Sequence, residues 1–257
     1  MMKDAVLSFY ERTLRMQCRH IPSHIAIIQD GNRRFARTHN MPPSEGHRAG
    51  ADRTEVMLDW ARELGIKYIT LYSFSTENFK RDWEEVQDLF CLFKEKLGNV
   101  TSDPRVHREG IRVQVVGDRS LLPGDLQETI ARAEEATKHY SGYYLNVALA
   151  YGGRNEIVRA ARRIIQGVFD GKYTLSDISP ELVESHLHEG QIIPPVDLII
   201  RTGNEYRTSN FLPWLANGHE SAVYFCAPYW PRFRKIDLLR AIRTYSQRIE
   251  ALGKPPC

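Results

Sequence analysis

"IAIIQDGNRRFA", residues 25–36, decides the fold. Four apolar residues, three of them β-branched, have the composition of a strand buried on both faces. The run breaks without warning into Gln29-Asp30-Gly31-Asn32, followed by two arginines and a phenylalanine. In an open parallel sheet, ligands bind beyond the carboxyl ends of the strands. An acid, a glycine and a cluster of positive charge at such an end therefore point to a site.

Outward from this stretch, short β-branched runs recur at residues 68–74, 111–116, 144–150, 197–201 and 222–225. Between them lie segments with apolar residues three and four apart, which predict helices over 45–64, 83–97, 124–140, 154–168, 180–188 and 234–252. Gly65 stands in the stop position of the first. Asp82 is the expected N-cap of the second, with Glu85 three residues on. The alternation predicts an α/β domain with a mostly parallel six-stranded sheet and helices on both faces. No repeat or linker divides residues 21–257, which read as one domain. Residues 1–20 stand apart as an amphipathic helix, with Leu7, Tyr10 and Leu14 in a stripe and Arg12, Arg15 and Arg19 near it. Such a helix either packs on the domain or lies on an anionic membrane surface.

The chain has 257 residues, 42% of them hydrophobic, which is enough for a sizeable core. Its net charge of +3 makes no case for nucleic acid. Cys18, Cys91, Cys226 and Cys257 lack any C-x-x-C spacing, a pattern of free thiols in a reducing compartment. No apolar run suits a signal peptide or approaches the roughly 20 residues of a bilayer span. A soluble, cytoplasmic protein is the expectation.

Three polar clusters fall at strand ends: "QDGNRRFA", "SFSTENFKR" at 73–81 and "RTGNEYRTSN" at 201–210. With Arg37 and His47 close by in sequence, they would gather Arg33, Arg34, Arg81, Arg201 and Arg207 around one rim. Guanidinium forks suit phosphate oxygens. Gly31 permits close backbone approach to an anion, and Ser75, Thr76, Thr208 and Ser209 add hydroxyl donors. Two arginine-bearing loops across one cleft fit two diphosphates. Asp30 would repel them unless a cation lay between. Mg²⁺ binds through one or two carboxylates plus substrate phosphates, with Glu220 the candidate second ligand. Taken alone, an Asp before Gly is an ordinary turn residue; the combination on one rim argues otherwise. His186 and His188 have metal-like spacing, but their polar setting predicts surface placement.

The motifs "HIAIIQDGNRRFA", "EGHRAG", "LYSFSTENFKR", "NVALAYGGRNEI" and "DLIIRTGNEYRTSNFLPW", in this order, resemble the cis-prenyltransferases, the undecaprenyl (polyprenyl) diphosphate synthase family, and most of all its archaeal branch. The resemblance runs from about residue 21 to residue 248. It implies an Mg²⁺-dependent enzyme that joins isopentenyl diphosphate to an allylic diphosphate such as geranylgeranyl diphosphate. Each step makes a Z double bond, and the product is a precursor of glycosyl carrier lipids. By position, the resemblance makes Asp30 the catalytic, metal-linked aspartate. Gly31, Asn32, Arg33, Arg34 and His47 match the loop that holds the allylic diphosphate, with Phe35 where tryptophan is usual. Ser75, Glu77, Asn78, Phe79 and Arg81 match the segment at the reacting carbons. Arg201, Arg207 and Ser209 match the isopentenyl diphosphate site, and Glu220 the second metal-linked carboxylate. Asn78 is a poor base and suits orientation or relay. Val86, Leu89, Phe90, Phe93 and Leu97, one stripe of the helix over 83–97, suit either core or a hydrocarbon tunnel, and the resemblance favours the tunnel.

Arg33 stands where glycine is common, Pro43 where many members carry arginine, and Glu220 lies two residues further from Trp230 than in the bacterial pattern. A homodimer is expected; for the first helix, packing on the domain is the leading reading and peripheral membrane contact the minor one. The alternatives are a short-chain or irregular synthase of the same fold, or one subunit of a heteromeric enzyme. Asn32 stands where a dehalogenase-type phosphatase needs its second acid, and the D-D-x-x-D motifs of the all-helical trans-prenyltransferases are missing.

Overall fold

The computed structural model describes residues 2–188, 191, 193–216 and 221–253. Its strands are β1 (His24–Ile28), β2 (Tyr68–Tyr72), β3 (Ile111–Val116), β4 (Tyr143–Ala148), β5 (Leu198–Arg201) and β6 (Ala222–Phe225). They form one sheet in the order β3-β4-β2-β1-β5-β6, parallel at every pairing. All five residues of β1 are buried, as a central parallel strand requires. From β1 the chain passes to β2 on one side, and it later enters β5 on the other. Strand order thus reverses between β1 and β5, where α/β sheets open a crevice at their carboxyl ends.

The helices are α1 (Met2–Gln17), α2 (Asn32–Thr38), α3 (Pro43–Glu63), α4 (Trp83–Asn99), α5 (Pro104–Arg108), α6 (Gly124–Thr137), α7 (Gly153–Phe169), α8 (Pro180–Ser185) and α9 (Lys235–Leu252). Strand alternation divides the core. Ile25, Ile27, Leu198 and Ile200 face a cluster completed by Met57 of α3 and by Leu239 and Ile242 of α9. Ala26, Ile28 and Ile199 face the other side, against Phe211 and Leu212. Helix α1 lies along α9, with Leu14 and Cys18 buried in the first cluster.

Three local expectations need correction. The residues after Gly31 coil into α2 instead of forming a loop, and Phe35 N–H donates to Gly31 O at 2.8 Å. Asp82 occupies the N-cap of α4 but makes no capping hydrogen bond, and the Glu85 side chain turns to His47 and Arg81 instead of back to the cap. His188 is buried, not surface-placed; its Nδ1 lies 2.7 Å from Glu156 Oε1, and that buried carboxylate gives the imidazole a polar partner away from water.

Candidate active site

The carboxyl ends of β1, β2 and β5 and the N-terminus of α7 enclose a cleft of about 910 Å³. Asp30, Gly31, Asn32, Arg33, Arg34, His47, Ser75, Thr76, Glu77, Asn78, Arg81, Arg201, Arg207 and Ser209 all line it. Phe35 does not: its ring stacks on His39 at 4.2 Å, with the Arg232 guanidinium 5.8 Å from its centroid. Phe79 packs on Phe74, centroids 4.9 Å apart, and supports the site from the core. Thr208 is not among the lining residues, and Glu220 lies outside the described residues.

Asp30 is held from two sides. Arg34 Nη2 donates to Oδ1 at 3.0 Å and Arg201 Nη2 to Oδ2 at 2.9 Å. Arg201 is itself buried, its Nη1 donating to Ser209 Oγ and to Arg207 O, both at 2.7 Å. Ser209 adopts φ +56°, a left-handed conformation unusual for a side-chain-bearing residue, and in it receives the Arg201 hydrogen bond. Strain of this kind concentrates at functional sites. Gly31 has φ +111°, and a Cβ there would stand 2.9 Å from the Tyr229 backbone.

A second cluster centres on Glu85, which motif reading treats only as a capping residue. Its Oε1 accepts from His47 Nε2 at 3.0 Å and from Arg81 Nη1 at 2.9 Å, and Arg33 Nη1 lies 3.5 Å from Oε2. Burial alone would raise the Glu85 carboxyl. The His47 hydrogen bond and the Arg81 and Arg33 charges outweigh it and hold the group below its ordinary value, so it is ionised. Burial pushes His47 down, keeping the imidazole neutral as a donor to Glu85.

Asn78 closes a capping box. Its Oδ1 accepts from Ser75 N–H at 3.0 Å, which leaves the NH₂ as its free polar group. That group donates and cannot take up a proton. Asn210, unassigned by sequence reasoning, ties three loops together: it donates to Glu77 Oε1 at 3.1 Å and accepts from Arg154 N–H at 2.8 Å and Gly153 N–H at 2.9 Å. Arg154, Asn155, Gln29, Ser73 and Glu205 also line the cleft unanticipated. Their signal was present, since each lies within or beside a quoted motif. Six arginines against three carboxylates make the lining cationic, suited to polyanions.

A tunnel of about 330 Å³ shares Gln29, Asn32, His47 and Ser73 with the cleft and runs between α3, α4 and the sheet. Leu89, Phe93 and Leu97 line it, whereas Val86 and Phe90 belong to the solid core behind. The stripe thus serves both purposes.

A sequence model of the undecaprenyl diphosphate synthase family matches residues 28–253. The chain belongs to this family. It is a prenyltransferase of the cis-prenyltransferase fold. A Methanosarcina mazei tritrans,polycis-undecaprenyl-diphosphate synthase (geranylgeranyl-diphosphate specific) is 50% identical over 245 residues, 94% of this chain and 82% of the relative. The enzyme of the same description from Archaeoglobus fulgidus is 50% identical over 241 residues, 93% and 95% of the two chains. Among solved structures, lavandulyl diphosphate synthase from Lavandula x intermedia, in complex with dimethylallyl diphosphate, superposes with TM-score 0.81 at 34% identity, covering 88% of this chain and 95% of that one. A probable undecaprenyl diphosphate synthase from Campylobacter jejuni gives 0.72 at 29%, covering 91% and 100%. Membership explains why the cationic cleft opens into a greasy tunnel. A prenyl diphosphate has one end for each.

Proposed function

We propose that this enzyme condenses isopentenyl diphosphate with geranylgeranyl diphosphate, or a closely similar allylic primer, to build a Z-polyprenyl diphosphate that serves as a glycosyl carrier lipid precursor. The observation that carries this is the continuity of the arginine-lined cleft with the apolar tunnel. The relatives' stated geranylgeranyl specificity supports the primer.

In this reading the allylic diphosphate sits against Gly31, Asn32, Arg33, Arg34 and His47, with Arg81 and Glu85 behind. Isopentenyl diphosphate sits against Arg201, Arg207 and Ser209. Two separate anion sites orient the reacting carbons and place them in contact, positioning that can supply about 7–11 kcal/mol of a bimolecular barrier. Ser75, Glu77 and Asn78 flank the carbons that join. Asn78, with only its NH₂ free, orients the substrate, and a diphosphate oxygen takes the departing proton. Asp30 fits Mg²⁺: it is a hard oxygen donor in a phosphate site, and Glu205 flanks the same Arg34 guanidinium. Asp30 and the substrate oxygens would hold the ion, which supplies charge neutralisation as the allylic C–O bond breaks.

We further assign a cytoplasmic enzyme that touches the membrane periphery and acts as a homodimer. No helix among the described residues is long and apolar enough to cross a membrane. Helix α1 leaves Phe9 and Met16 exposed beside Arg12, a pattern that suits an anionic lipid surface. Helix α7 leaves Val158, Ile165 and Phe169 exposed along one stripe, which supports the dimer.

Purified protein incubated with Mg²⁺, isopentenyl diphosphate and primers of several lengths should give Z-polyprenyl products, most efficiently from geranylgeranyl diphosphate. Asp30→Ala should lose more than nine-tenths of the rate while keeping the wild-type fold by circular dichroism. Retention above that level, a loss under about 1.4 kcal/mol, removes Asp30 from catalysis.

A further inference from the structure

Asn210 stands where three loops of the rim meet, and both ends of its side-chain amide are engaged. Nδ2 donates to Glu77 Oε1 at 3.1 Å, beyond β2. Oδ1 accepts from Arg154 N–H at 2.8 Å, in the first turn of α7. A carboxylate calls for a donor and a backbone N–H for an acceptor. An amide serves both at once, whereas an ionised carboxylate in its place could not donate. The Asn210 carbonyl adds a bond from Gly153 N–H at 2.9 Å. Gly152 permits the close approach: a Cβ there would stand 2.7 Å from Thr76 Oγ1 and 3.0 Å from Asn210 Nδ2.

The chain neighbours of this bond lead to the groups that handle substrate. One position before Asn210, Ser209 Oγ accepts from Arg201 Nη1 at 2.7 Å, and Arg201 reaches Asp30 at 2.9 Å. One position after Glu77, Asn78 closes its capping box with Ser75. Burial alone would raise the Glu77 carboxyl. Hydrogen bonds from its own N–H and from Ser75, Asn210 and Thr76 outweigh burial and hold the group below its ordinary value. The Asn210–Glu77 contact is thus a charge-assisted bond, stronger than one between neutral partners. We propose that Asn210 is a positioning residue for prenyl transfer: through Glu77 it fixes the Ser75–Asn78 turn relative to the isopentenyl diphosphate loop, so that the Asn78 NH₂ meets the joining carbons. This rests on the substrate placement given above. A misplacement of about 1 Å at the reacting carbons can cost about 100-fold in rate, so one tether between two loops has leverage.

The test reads the rate of the first condensation in a single turnover, at saturating substrates, with the full-length protein. Asn210→Ala removes both side-chain bonds. Asn210→Asp keeps an acceptor for Arg154 N–H but sets a second carboxylate against Glu77. Asn210→Ala should lower the rate about tenfold with the allylic KM within about threefold, and Asn210→Asp should be slower still. In a Glu77→Gln background the order should reverse, because the amide introduced at position 77 donates to the carboxylate introduced at position 210. Damage to the fold, or negative charge near a diphosphate, would act alike in both backgrounds and leave the order unchanged. The same order in both backgrounds, or no loss of rate in Asn210→Ala, overturns the proposal. Circular dichroism checks each variant. Should Asn210→Asp fail to fold, Asn210→Ser, shorter but still able to donate and accept, should fall between Asn210→Ala and wild type; a rate at or below that of Asn210→Ala overturns the proposal. A wild-type protein that transfers no prenyl group overturns the function itself, a result distinguishable at the first measurement.

Discussion

Glu85 gathers His47, Arg81 and Arg33 on one buried carboxylate, and nothing in its sequence position announces this. Truncation leaves two guanidiniums and an imidazole without the group that aligns them. Glu85→Ala should therefore lower kcat/KM for the allylic substrate at least tenfold, about 1.4 kcal/mol. Glu85→Gln, still able to accept a hydrogen bond, should recover part of that loss. Equal kinetics for both variants and wild type would remove Glu85 from substrate positioning. On the other side of Asp30, Arg201 is buried with three acceptors, while Arg207 is largely exposed and paired with Glu205. Arg201→Ala should raise the KM for isopentenyl diphosphate more than Arg207→Ala, each leaving the allylic KM within about threefold, a span of about 0.7 kcal/mol. A rise confined to the allylic substrate would mean that the two diphosphate subsites are exchanged.

At the scale of elements, the junction of β1 and α2 is set by close approaches. Gly46 and Gly50, one turn apart on α3, lie where a Cβ would come within 2.4 Å and 2.5 Å of Asn32 atoms. That contact seats α2 on α3 and explains the glycines of the "EGHRAG" segment. Gly31 needs its positive φ to turn from strand to helix against Tyr229. Gly31→Ala adds both strain and a clash, and should cost about 1–3 kcal/mol of stability. Thermal denaturation of the purified variant checks this; an unchanged melting temperature would show that the junction relaxes freely. Helix α4 shows a division of labour of its own, with Leu89 and Phe93 turned to the tunnel while Val86 and Phe90 fill the core.

For the whole molecule, stability depends on pH through His24, whose buried ring is held between Pro194 O at 2.8 Å and Thr70 Oγ1 at 2.8 Å. Burial lowers its pKa to about 4. The unfolded chain binds a proton below about 6.5, whereas the folded chain does not until about 4, so stability falls as pH drops through that window. The loss should approach about 3 kcal/mol at pH 4. Urea unfolding at pH 7, 5.5 and 4.5 should show it, and His24→Gln should flatten the slope; identical slopes would assign the effect to other groups. Much of this molecule was legible in the order of its residues. The runs at 25–28 and 197–201 read as buried strands because they are short, rich in β-branched residues and alternate with helical patterns. The residues next in the chain after a strand are covalently tied to its carboxyl end, so the polar clusters fell on one rim without any knowledge of packing. Only the tertiary structure decided which clusters meet. Pairing of β1 with β5 sets Arg201 on Asp30, 171 residues away in sequence. The same holds for Glu85, which leaves the cap of α4 for His47, and for Phe35 and Phe79, which turn from the cleft to other rings. A periodic stripe records that a helix face is apolar, but whether that face meets solid core or an open tunnel depends on where α3 stands. Local composition determines what a segment can be, and long-range packing determines what it touches.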